Sequence, residues 1–123
     1  MIKVTVHEDC GNSPKNLFVQ KMIIAIAKGD VKFMLKHVSD DIRWNIVGGR
    51  VFQGKEEVAR VLEGIDVTEL NICHIATHGK TGAADGALKL TDGRIQAFCD
   101  VFEFTNAKGE GVKEITTYVI GVK

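Results

Sequence analysis

Asp100 lies in the run Phe98-Cys99-Asp100-Val101-Phe102-Glu103-Phe104, which alternates as a β-strand does. Residues two apart on a strand share a face, so Phe98, Asp100, Phe102 and Phe104 point the same way. An acid among three phenylalanines is either solvated and paired on an open face, or buried. Burial disfavours the ionised form and raises the pKa, leaving a neutral carboxylic acid able to donate a hydrogen bond or exchange a proton. His74 and His78 are four apart on another expected strand and so lie on one face, two positions separated. They are either a surface pair or a second acid/base group beside Asp100. No carboxylates converge on them in sequence, so no metal is expected. Cys99 falls on the face opposite Asp100 and reads as a small hydrophobe, because no histidine adjoins it in sequence to activate it. His7 and His37 fall in segments expected to be exposed. Gly79, Gly82, Gly86 and Gly93 open no helix and are read as turn and bulge glycines rather than a phosphate loop.

The elements that position these groups can be read along the chain. Ser13-Pro14 has the chemistry of a helix start, with Phe18, Met22, Ala25 and Ile26 as the apolar stripe and Gly29 as the stop. Asp30 caps a second helix carrying Val31, Met34, Leu35 and Val38. Residues 42 to 47 alternate as a strand and Gly48-Gly49 turns the chain. Gly54 then opens a third helix with Val58, Val61, Leu62 and Ile65 on its apolar stripe. Strands are expected over about 68–78, 82–91, 94–105 and 112–122, joined by hairpin-length breaks such as Asp92-Gly93. The order predicts an α+β domain: a helical hairpin and a third helix on one face of a curved, mostly antiparallel sheet. Such a cone leaves a cavity between the layers. One domain is expected over 1–123, with 1–12 an N-terminal arm or edge strand.

Composition narrows the functional classes. The 123 residues carry 16 basic and 16 acidic side chains with 45% hydrophobic residues. That balance lacks the basic footprint of a nucleic-acid binder. Three cysteines, Cys10, Cys73 and Cys99, have no framework or zinc-knuckle spacing, which fits a reducing, cytoplasmic setting. The N-terminus lacks the form of a signal peptide, and no apolar run has the length to span a membrane.

Several motifs together carry a family resemblance. They are Lys28-Gly29-Asp30, Asp40-Asp41-Ile42-Arg43-Trp44, Phe52-Gln53-Gly54-Lys55-Glu56-Glu57, Asp100-Val101-Phe102-Glu103-Phe104 and a last strand containing Tyr118. In order and spacing, from about Ser13 to the C-terminus, the chain resembles the nuclear transport factor 2-like superfamily and, within it, the SnoaL-like group. That superfamily hosts enzymes, binding proteins and association modules, so the resemblance implies a fold before a function. The chain is also similar to ketosteroid isomerase at Asp100, Val101 and Phe104, which places that enzyme's oxyanion-hole acid on Asp100. The same alignment puts the oxyanion-hole tyrosine on Met22 and the general base on Ile46, neither of which can act. Steroid isomerase activity is therefore not expected. The resemblance to SnoaL-like cyclases implies instead that one pocket aspartate can serve as both acid and base.

The expected function is a small-molecule pocket without a cofactor, with Asp100 as the candidate catalytic acid for a hydrophobic carbonyl or cyclic compound. Its expected walls are Met22, Trp44, Ile46, Phe98, Phe102, His74 and His78. The alternative is a non-catalytic association module whose cavity is filled core. For Trp44, pocket wall and plain core packing are both open, and its indole N–H needs a partner if buried. A homodimer is expected through the outer sheet face, where Ile95, Ala97, Cys99 and Val101 form an apolar row.

Overall fold

The computed structural model describes residues 2–7 and 13–122. Cys10 and the part of the N-terminal segment from 8 to 12 lie outside the described residues. Ser13 accepts from the Asn16 amide at 3.2 Å and Pro14 occupies the first turn of α1 (Pro14–Lys28). Gly29 closes that helix in the left-handed conformation, φ 65°, where L side chains are strained. A Cβ at Gly29 would also stand 2.8 Å from the Leu62 carbonyl oxygen, so glycine serves both the turn and the close passage past the third helix. Asp30 caps α2 (Val31–His37) through the Phe33 amide at 3.1 Å.

The chain passes directly from α2 into β2 (Val38–Ile46), so the first long strand begins four residues earlier than its alternation announces. A short β3 (Val51–Gln53) folds back on it before α3 (Lys55–Glu63). Four long strands follow: β4 (Val67–His78), β5 (Thr81–Leu90), β6 (Ile95–Phe104) and β7 (Val112–Val122). They form the expected antiparallel meander. β1 (Lys3–Val6) adds to β4 in parallel at one edge, and β2 joins β7 in parallel on the other side. The sheet order is β1-β4-β5-β6-β7-β2-β3. This is an α+β architecture, with three helices on a curved, mostly antiparallel sheet. α1 packs on β4 and β5, and α3 on β2 and β3. No helix among the described residues is long and apolar enough to cross a membrane.

The core lies between the layers. Met22, Val19, Met34, Ile42, Leu62, Ile72, Phe102, Phe104 and Ile115 are fully enclosed there. A β-bulge interrupts β4 between Ile72 and His74. Before the bulge Leu70 and Ile72 face inward; after it Ile75 does, and His74, Ala76 and His78 are exposed. The extra residue re-phases the strand. It also explains Gly86 opposite, where a Cβ would stand 1.9 Å from the Asn71 carbonyl oxygen.

Candidate active site

Asp100 is positioned by its neighbours on both sides: it is paired with Ala84 of β5 and Thr117 of β7. Phe98, Asp100, Phe102 and Phe104 are all buried, Asp100 at 5% exposure. The Thr117 hydroxyl donates to Asp100 Oδ1 at 2.5 Å and accepts from the Trp44 indole Nε1 at 2.8 Å. Trp44 reaches it because β2 lies beside β7, with Trp44 opposite Ile115 and Ile46 opposite Thr117. Trp44 is thus buried and its N–H satisfied. Removal from water raises the Asp100 pKa from 3.8 to about 6, outweighing the Thr117 hydrogen bond, which acts the other way.

This acid borders a cavity of about 560 Å³. Such a volume falls in the range of small-molecule sites. Ile23, Ile26 and Ala27 of α1 form one wall, with Val61 and Ile65 at the end of α3 beside them. Trp44, Ile46, Leu70, Leu88, Phe98 and Val119 form the sheet side. Asp66, Thr91, Asp92 and Arg94, all exposed, mark the mouth. There Thr91 donates to Asp66 at 2.6 Å and the Arg94 Nε donates to Asp92 at 2.8 Å. The Arg94 backbone amide holds Asp92 below the usual carboxylate range, helped by the guanidinium. The polar groups therefore separate into a solvated rim and one buried acid with its threonine.

Asp100 Oδ2 has no hydrogen-bond partner among the described residues. It is not sealed off either, since the one enclosed, unpartnered side-chain oxygen or nitrogen among them is Ser39 Oγ. Asp100 is among the residues that line the cavity, and with Oδ1 taken by Thr117 the oxygen left to face it is Oδ2.

Four of the expected site residues, Trp44, Ile46, Phe98 and Asp100, line this space. Met22 does not. It is fully buried among the helix and sheet side chains, because α1 turns Ile23, Ile26 and Ala27 toward the opening instead. Phe102 does not either: beyond Asp100 the layers close, and Phe102 and Phe104 are filled core. His74 and His78 are placed outside by the bulge in β4, and His74 Nδ1 lies 2.8 Å from Asp85 on the outer face. Cys99 is partly exposed on that face, its thiol pKa raised by partial burial and the nearby acids. Thr117 was not anticipated. The β6–β7 connection is long and a register shift follows Glu103, so counting from the turn does not pair it with Asp100.

No protein-family model and no curated protein matches this sequence. Solved structures do match. A ketosteroid isomerase-like protein from Kribbella flavida is 13% identical, with 89% of this chain and 79% of that one covered at a TM-score of 0.74. An LEH-like epoxide hydrolase from M. tuberculosis is 20% identical over 86% of this chain and 82% of its own, with a TM-score of 0.69. A nuclear transport factor 2-like protein of unknown function from Cytophaga hutchinsonii is 21% identical over 86% and 99%, with a TM-score of 0.64. The chain therefore has the nuclear transport factor 2-like, cystatin-like fold. At these identities the likeness extends to the fold alone.

Proposed function

We propose that this protein binds a small, largely apolar molecule bearing a carbonyl group, with Asp100 as the acid that meets the carbonyl oxygen. The observation that carries this reading is the position of Asp100. It is a buried carboxyl group with one oxygen held by Thr117 and the other open to an apolar cavity. A neutral acid there donates a hydrogen bond in a medium that strengthens it, and can exchange a proton with a bound carbonyl or enol. Any reaction would be a proton transfer of that kind. Abstraction of a proton from carbon by a second base is not part of the proposal. Ile46 occupies the base position implied by the ketosteroid isomerase resemblance, and the other lining acids, Asp66 and Asp92, sit at the mouth.

Association is a second reading, compatible with the first. Ile95, Tyr118, Ile120 and Val122 are exposed on adjacent strands of the outer face, Ile120 at 68%. We propose that a second copy of the chain covers this patch, beside the row Ala97, Cys99 and Val101.

The ligand reading is tested by titrating a bicyclic ketone, 2-decalone, against Trp44 fluorescence at pH 5. Binding is expected, and Asp100→Leu should weaken it about tenfold, the worth of one hydrogen bond of ~1.4 kcal/mol. Ala27→Phe, which projects a ring into the cavity from α1, should weaken it strongly. Ketone binding that survives Ala27→Phe unchanged would place the ligand elsewhere and sink the proposal.

A further inference from the structure

We infer that Trp44 and Thr117 form a one-way hydrogen-bond relay that fixes the proton of Asp100 on its cavity-facing oxygen, so that the site selects ligands presenting a hydrogen-bond acceptor. The inference rests on the reading of the cavity as a ligand site and goes further, because it assigns each atom a direction.

An indole N–H can only donate. Its bond to Thr117 Oγ1 therefore makes the threonine oxygen an acceptor at that contact. The hydroxyl has one proton to give, and the acceptor found for it among the described residues is Asp100 Oδ1. If Oδ1 carried the acid proton and donated to Thr117, the threonine proton would be left in the core without an acceptor, a costly arrangement. Oδ1 is thus held as an acceptor whatever the charge of Asp100. When the group is neutral its proton resides on Oδ2, which has no partner among the described residues and is the oxygen left for the cavity that Asp100 lines. Trp44 and Thr117 are in this sense positioning residues that act through Asp100.

Two consequences follow. A ligand that offers only acceptor atoms, such as a ketone, is recognised by the neutral acid and is bound with uptake of a proton when the pH exceeds the pKa of Asp100. Other charged groups do not share this role. The remaining titratable side chains lining the cavity are Asp66, Asp92 and Arg94 at its mouth, while α1, β2, β5 and β7 contribute none to the lining. Second, a carboxamide in place of the acid must obey the same relay. Its oxygen accepts from Thr117, and its NH2 faces the cavity as a permanent donor.

The experiment compares 2-decalone with decalin, the same skeleton without an acceptor, on the wild-type protein and on Asp100→Asn between pH 4.5 and 8. For the wild type, the preference for the ketone over decalin should fall by about tenfold in all as the pH rises from about 5 to about 8, and then level off. Calorimetry at pH 7 in buffers of different ionisation enthalpy should show uptake of about 0.4 proton with the ketone, the difference between a free pKa of about 6 and a bound one about a unit higher, and markedly less with decalin. Asp100→Asn should hold the low-pH ketone preference across the whole range, without proton uptake. If Asp100→Asn prefers the ketone no more than Asp100→Leu does, while the wild type prefers it at low pH, the amide oxygen faces the cavity and the relay is wrong. The relay is equally overturned if the wild type binds the ketone at pH 7 without proton uptake, and this arm stands even if the variant misfolds. If neither probe binds at any pH, the reading of the cavity itself fails, and the inference with it.

Discussion

Replacing Asp100 with asparagine should make the protein more stable at neutral pH, by an amount that follows from burial. The carboxyl group titrates at about 6 in the folded protein against 3.8 for an exposed one. Because the folded-state pKa is raised, the folded protein binds more protons than the unfolded chain between those values. Stability from this group is fully present below pH 4, falls as the pH rises through 6, and is flat above about 7. The whole change is about 3 kcal/mol, at 1.36 kcal/mol for each unit separating the two values. Asp100→Asn keeps an oxygen for the Thr117 hydroxyl and removes the ionisation. Urea unfolding of both proteins, followed by Trp44 fluorescence at one fixed protein concentration, isolates the effect, since other ionisable groups cancel in the difference. The variant should gain about 3 kcal/mol on the wild type between pH 3.5 and pH 7.5. At an m-value of about 1.5 kcal/mol/M that is a relative midpoint shift of about 2 M urea. A difference constant across the range, or one that moves the other way, would refute the claim that Asp100 is desolvated.

Thr117→Val should raise the Asp100 pKa further, because it removes the hydrogen bond that favours the charged form, and should destabilise the protein by ~1–3 kcal/mol by orphaning the Trp44 N–H. Thr117→Ser should restore both quantities, as read by carboxyl NMR titration and urea unfolding. Gly86→Ala drives a methyl group into the Asn71 carbonyl at the bulge and should cost about 3 kcal/mol, seen as a lowered urea midpoint. Unchanged stability would mean that the β4 bulge is not held as described. Ile120→Glu should convert a sedimenting dimer into a monomer without changing the Asp100 titration; a wild type that sediments as a monomer removes the second copy from the account.

The local signals in the chain were strong where they rest on short-range chemistry. Ser13-Pro14, Gly29 and Asp30 mark helix ends by satisfying or releasing particular backbone groups, and each does so in the structure. The inward face of Phe98 to Phe104 was legible because β6 is regular along that stretch. The orientation of His74 and His78 was not, because a single bulge reverses the alternation after Ile72 and leaves only Gly86 on the next strand as its trace. The short β3 follows a glycine turn and has too few residues to show a period. Thr117 was hidden for a different reason. Its role depends on a register across β6 and β7 and on β2 lying parallel to β7, and both are long-range outcomes that no local pattern encodes. Met22 and Phe102 have the residue types of a pocket wall, and only the place where the layers close decides that they are core.

The most direct test is the titration of the Asp100 carboxyl carbon by NMR, with and without saturating 2-decalone, the signal assigned through Asp100→Asn. The account predicts a pKa near 6 in the free protein and a higher one with the ketone bound, because the ligand accepts a hydrogen bond only from the neutral acid. A pKa near 4 that the ketone leaves unmoved would show a solvated carboxylate with no part in binding, and would contradict the account at its centre.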